Sequence, residues 1–134
     1  TEVEKVKNIT TFQYIDGWLG TRYCMGGTTK RCIDCSAFTQ SFYSALYNTT
    51  IPRTARNQYS AAHRVSKNEL QEGDLLFFNT RGGISHVGVY LQNNKFVHAT
   101  SSKGIMISDL SDSYWSKRYV SAGKLPKDGM AASQ

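Results

Sequence analysis

An α+β fold is what the patterning of this chain predicts, with N-terminal helices packed on a central antiparallel sheet of about five to six strands. Three observations lead there. Apolar residues recur at helical spacing through roughly the first sixty positions. From Asp74 onward the period shortens to two, and turn residues punctuate it. Helices thus come first and an antiparallel meander follows, which places the helices on one side of the sheet.

The elements follow in order. Val3, Val6 and Ile9 stand three apart and suggest the first helical turns, and Phe12, Ile15, Trp18 and Leu19 carry the spacing to Gly20. A polar loop, 26–31, comes next. Asp34 is suited to cap a helix over about 35–47, in which Ala37, Phe38, Phe42, Ala45 and Leu46 mark one face. Pro52 keeps the chain non-helical, and a short helix is expected over 54–63. Leu75, Leu76, Phe77 and Phe78 form an apolar run that reads as a buried strand. His86 to Leu91 alternates, with Val87, Val89 and Leu91 on one face and His86, Gly88 and Tyr90 on the other. Asn93 and Asn94 turn the chain and 95–99 returns. Further strands are expected at Met106–Ile107 and Tyr119–Val120. One domain over 1–125 is expected, with 126–134 a loose tail.

Composition narrows the function. The chain has 134 residues, enough for one core without a metal or disulfide staple. No apolar run approaches the ~20 residues of a membrane span. It begins at Thr1 rather than Met, so a processed start is expected, which leaves room for an export signal or lipid anchor upstream. The net charge of +6 favours anionic partners. The basic residues are scattered, however, and Lys30-Arg31 and Lys117-Arg118 are the nearest approach to a cluster. Nucleic-acid binding is therefore not expected.

Cys35 is the candidate nucleophile. At the first position of a helix its thiol faces unpaired N–H groups and the positive dipole end, a placement expected to favour thiolate. His86 and His98 lie within strands, which hold a general base in place better than loops do. Cysteine, base and a third group that fixes the base's tautomer form the logic of a catalytic triad. Geometry supplies a condition. The two histidines share a sheet face only if the intervening loop has an odd residue count, 92–94 or 93–95, or a bulge of equal effect; a two-residue Asn93-Asn94 turn separates them. The odd loop is expected. His63 is expected to be an exposed helix residue without a role, and Tyr114-Trp115 to pack the last strand or rim the cleft.

These residues fall in motifs. Gly20-Thr21-Arg22-Tyr23, Gly26-Gly27-Thr28 and Ile33-Asp34-Cys35-Ser36-Ala37-Phe38 come first. Ile51-Pro52-Arg53-Thr54 with Gln58 and Glu72-Gly73-Asp74-Leu75-Leu76-Phe77-Phe78 follow, then Ser85-His86-Val87-Gly88-Val89-Tyr90-Leu91 and Phe96-Val97-His98-Ala99. In that order they resemble the NlpC-type cell-wall cysteine peptidases of the papain-like superfamily, above all the small Spr-type envelope lipoproteins. The resemblance covers about 12–123. It implies hydrolysis of peptidoglycan stem peptides by a monomeric enzyme without metal or cofactor, exported to the periplasm or anchored at the outer membrane. It assigns Cys35 as nucleophile, His86 as base and His98 as third group, with Tyr23, Asp34 and Ser36 at the substrate and oxyanion side.

Two thiols depart from that pattern, because relatives usually carry an aromatic or basic residue at Cys24 and glycine at Cys32. Three states compete: a Cys24–Cys32 disulfide, reasonable in an exported protein; three free thiols; or a Cys32–Cys35 bridge that gates activity by redox state. A thioredoxin-like C-x-x-C protein is disfavoured, since Cys35 and not Cys32 opens the helix. A zinc site lacks a second ligand pair. A hydrolase of another amide or ester, and a non-hydrolytic wall-binding module, stay open as alternatives.

Overall fold

The structure is a computed structural model describing residues 2–127, with side chains from residue 9 onward. The side chains of Val3 and Val6 and residues 128–134 of the expected tail lie outside the described residues.

Helix α1 (Glu2–Asp16) opens the chain. The helix expected to reach Gly20 stops earlier, because Trp18 N and Leu19 N both turn back to the Ile15 carbonyl and Thr21 N bonds the Trp18 carbonyl. Ile15 and Trp18 are buried by that turn, while Ile9, Phe12 and Leu19 remain exposed. The expected loop after it folds into a short hairpin, β1 (Thr28–Thr29) and β2 (Cys32–Ile33).

Helix α2 (Cys35–Tyr47) has the expected bounds. Asp34 caps it by accepting from Ala37 N at 2.8 Å, and Asn48 closes it in the left-handed region at φ 49°. Helix α3 (Ala55–Ala61) ends two residues before the expected His63. His63 instead starts β3 (His63–Val65), an exposed edge strand paired with the chain's last strand.

After a single 3-10 turn, Lys67–Glu69, the sheet strands follow: β4 (Leu75–Phe78), β5 (His86–Tyr90), β6 (Lys95–Thr100), β7 (Gly104–Asp109) and β8 (Tyr119–Lys124). Helix α4 (Ser113–Arg118), capped by Asp112, precedes β8 and carries Tyr114 and Trp115. The sheet has six strands in the order β3-β8-β4-β5-β6-β7, all antiparallel. The α+β expectation holds.

Both sheet faces are covered. On one, α2 lays Phe38, Phe42, Tyr43 and Tyr47 against Leu75, Phe77, Val87, Val89 and Val97. On the other, Leu76, Phe78 and Phe96 pack with Leu110 and, from α4, Trp115. The buried Asp74 carboxylate is met by Lys124 Nζ and Lys127 Nζ, each at 2.9 Å. Lys127, expected in a loose tail, is thus tied to the start of β4.

The β5–β6 turn meets the parity condition. Val89 opposes Val97, Tyr90 opposes Phe96, and Leu91 N bonds the Lys95 carbonyl at 2.9 Å, leaving 92–94 as a three-residue loop. Asn93 and Asn94 make it possible by adopting positive φ, 52° and 66°. The register sets Gly88 opposite His98. A Cβ on Gly88 would stand 2.9 Å from the Phe96 ring and 3.1 Å from His98 Cβ. We expect Gly88→Ala to cost about 1–3 kcal/mol by overpacking and to lower activity through displacement of His98. Thermal melts and hydrolysis rates on one preparation check this; unchanged values for both would refute the steric role.

Candidate active site

The site forms where α2 and β5 both begin. Cys35 opens α2 and is only 7 % exposed. Its sulfur lies against the backbone amides of Val87 and Ser36. The expectation of a thiol poised as thiolate by its helix start needs correction. Burial outweighs those amides and pushes the Cys35 thiol above its ordinary value.

The two histidines sit on one sheet face in direct contact. His86 Nε2 and His98 Nδ1 are 2.7 Å apart. His98 Nε2 lies 2.8 Å from Ser108 Oγ on β7. One proton arrangement lets both histidines donate along the chain: His86 Nε2–H donates to His98 Nδ1, and His98 Nε2–H donates to Ser108 Oγ. That leaves Nδ1 as the His86 nitrogen not taken by His98. Burial lowers the His86 pKa to about 4, helped by the positive charge of Arg81. Burial and then the neighbouring His86 push His98 down as well. Both rings are therefore neutral near pH 7.

An aromatic wall encloses the pair. The Trp115 indole stacks on His86 at 5.2 Å between centroids and 24° between planes, and meets His98 edge-on at 4.7 Å. Phe78 and Phe96 complete it. Trp115 both rims the cleft and packs the histidines, a role that its place in the sequence left undecided.

On the other side Asp34 gathers the local chain. Its carboxylate accepts from Ala37 N (2.8 Å), Gly26 N (3.0 Å) and the Ser36 hydroxyl (3.3 Å). Arg53 adds a two-pronged ion pair, Nη1 to Oδ1 at 3.0 Å and Nη2 to Oδ2 at 2.8 Å. Burial works to raise the Asp34 carboxyl, but Arg53 and the amides outweigh it and the net shift is downward. Arg53 also bonds Ser36 Oγ at 2.9 Å. The buried Gln58 amide ties α3 to α2, giving its NH2 to the Ser36 and Pro52 carbonyls at 3.1 and 2.8 Å and accepting from Thr39 Oγ1.

Cys24 and Cys32 are joined by a disulfide across the β1–β2 hairpin, and Cys35 is free. The Cys32–Cys35 bridge is not the state found. Tyr23 faces the cleft, pairs with Ile33 through a short bridge, and has its pKa raised, chiefly by burial. A cleft of about 750 Å3 opens here, lined by Tyr23, Arg81, His86, Ser108 and Trp115 among others. Among the described residues, no group of three or more His, Cys, Asp or Glu is arranged to hold a metal. Nor is any helix of those residues long and apolar enough to cross a membrane.

Ser108, Gln58 and Arg81 escaped the sequence-based assignment of roles, whereas Trp115 lines the cleft, one of the two places expected for it. Register could have found Ser108. His98 opposes Met106, so Ser108 shares its face, but β7 was expected only at Met106–Ile107.

Comparison with known proteins agrees with the motifs. The family model for the NlpC/P60 family matches residues 20–124. A Haemophilus influenzae protein named probable endopeptidase NlpC homolog is 44% identical over 108 residues, covering 81% of this chain and 57% of that protein. The Escherichia coli protein named murein DD-endopeptidase MepS/murein LD-carboxypeptidase is 41% identical over 120 residues, covering 90% of this chain and 63% of its own length. The chain thus spans about three-fifths of these relatives. A Staphylococcus aureus structure described as similar to lipoprotein, NLP/P60 family, superposes with TM-score 0.77 at 31% identity, covering 88% of this chain and 41% of that one. A Bacillus cereus NlpC/P60 family structure gives 0.79 at 29% identity, over 89% of this chain and 40% of that one. With a match over most of its length and this level of identity, the chain belongs to the NlpC/P60 family.

Proposed function

We propose that this protein is a cysteine peptidase that hydrolyses peptide bonds in peptidoglycan stems. The observation that carries the reading is the relay from His86 through His98 to Ser108, set beside a free thiol at a helix start. Relatives named as murein endopeptidases support the substrate class. The double name of the Escherichia coli relative favours bonds in or near the cross-link between stems, and the D-glutamyl–diaminopimelate bond is the other bond at issue. The disulfide supports an oxidising, exported location in the cell envelope, periplasmic or anchored at the outer membrane.

The chemistry follows from the neutral pair. His86 Nδ1 takes the Cys35 proton as sulfur attacks the amide carbonyl carbon. The developing oxyanion lies toward the free N–H groups at the start of α2, a contribution usually worth about 3–4 kcal/mol. His86, now imidazolium, keeps donating through Nε2 to His98 while Nδ1 returns its proton to the leaving amine. The C–N bond breaks and a thioester remains. Water, deprotonated by His86, then releases the acid and restores the thiol. Asp34, Ser36 and Tyr23 flank this path at the substrate side.

Digestion of purified wall fragments by native protein and by Cys35→Ala, with mass analysis, tests the reading. Only the native protein should release products, and their masses name the bond; identical profiles would sink the assignment. The pH profile offers a second check. His86 must be neutral to act as base, and its pKa is lowered from an ordinary 6.5 to about 4. The acid limb of kcat/KM should therefore fall well below pH 6.5 and toward 4. The same shift links to folding. The unfolded chain binds more protons between about 4 and 6.5, so stability declines as pH falls through that window. Melts at each pH separate the two effects, and an acid limb at 6.5 or above in folded protein would contradict a buried neutral His86.

A further inference from the structure

Arg81 is the cleft cation for which the reaction above has no use. It lies in the loop 79–85 between β4 and β5, on the chain that leads directly into His86. The loop is braced rather than slack. Ser85 Oγ accepts from the Thr80 and Arg81 amides, each at 2.9 Å. Gly82 N bonds Asn79 Oδ1 at 2.7 Å, and Asn79 N bonds the Arg118 carbonyl at 2.8 Å. Gly82 and Gly83 hold positive φ, 114° and 57°, which lets the loop turn tightly behind Arg81. The backbone is thereby fixed while the exposed guanidinium faces the cleft and reaches Tyr23.

The charges around it are already matched. Asp34 is taken by Arg53. Of the two acids lining the cleft, Asp109 pairs with Lys95 at 2.5 Å and Asp112 caps α4 through Tyr114 N at 2.9 Å. Among the described ion pairs none includes Arg81. A guanidinium on a rigid loop, next to the base and without a carboxylate, presents a planar fork of donors whose best-matched ligand is a carboxylate held by two parallel bonds. Lys103 is the other cation of the cleft, a point charge in the β6–β7 turn.

We propose that Arg81 determines substrate specificity by binding a free carboxylate of the stem peptide beside the scissile amide. This deepens the peptidase reading and rests on it. The bound anion would hold the amide over Cys35 and leave peptides with a carboxamide at that position as poor substrates.

The test uses the whole protein and two forms of one substrate: wall peptide fragments with free carboxyl groups, and the same fragments with those groups converted to carboxamides. The readout is the ratio of kcat/KM between the two forms, which cancels any general effect of Arg81 on the thiol or His86. For native protein the ratio should be at least about tenfold in favour of the carboxylate, as expected for a charge-assisted hydrogen-bonded pair. Arg81→Gln should bring it to about one, Arg81→Lys should retain part of it, and Lys103→Gln should leave it near the native value. A native ratio of one overturns the inference, as does a ratio that survives Arg81→Gln. Equal loss in Lys103→Gln overturns it too, since a diffuse positive rim then suffices. Failure of native protein to cut either form, matching Cys35→Ala, removes the peptidase reading and this inference with it.

Discussion

Three residues, Gln92 to Asn94, separate Leu91 from Lys95, and that odd number puts His86 and His98 on one face of the β5–β6 pair. Their ring-to-ring hydrogen bond of 2.7 Å depends on it, because one residue fewer would flip every side chain of β6 to the other face. The rest of this half of the site follows. Gly88, opposite His98, leaves the space for the second ring. The next turn, 101–103, is also three residues long, so β7 keeps the same parity and delivers Ser108 to the far nitrogen of His98. Helix α4 then needs only to lay Trp115 over the exposed side of His86.

The Cys35 half of the site is held by a different device. The Asp34 carboxylate joins the first turn of α2, the β1–β2 hairpin through Gly26, and the 51–54 segment through Arg53. The Cys24–Cys32 disulfide closes the same hairpin, so the loop that donates Gly26 N to Asp34 is tied at both ends. Gln58 holds α3 to the Ser36 carbonyl from behind. Asp34 is thus more than a helix cap. It sets where α2 begins relative to the sheet, and hence where the sulfur of Cys35 lies against the start of β5.

How much of this was legible beforehand follows the range of each interaction. Helix α2 was read to its observed bounds because its cap, its apolar stripe and its terminator are all local. The catalytic candidates were legible because strand periodicity and a countable loop fix which face a side chain takes. The family resemblance read from the ordered motifs is borne out by a match over residues 20–124. What escaped depends on partners distant in sequence. The edge strand β3 gains its identity only by pairing with β8, some sixty residues on. Trp115 sits on a six-residue helix whose apolar content is too short to show a period, and its contact with His86 spans twenty-nine positions. The thiol's protonation was misjudged for a related reason. The helix start was visible in the sequence, whereas the burial that outweighs it is a property of the packed chain.

That burial would shape how charge moves in the proposed reaction. A buried thiol beside a buried imidazole favours the neutral pair, so under the proposed mechanism the ion pair would have to be created as sulfur attacks. The nearby Asp34, although paired with Arg53, also pushes the Cys35 thiol upward and so opposes the thiolate. Arg81 acts in two directions. Its positive charge favours a thiolate at Cys35, but it also disfavours an imidazolium at His86. A carboxylate seated on Arg81 would cancel that charge for both groups. The thiol and the imidazole would then shift upward together, so the seated carboxylate would act by positioning the amide and not by driving proton transfer from sulfur.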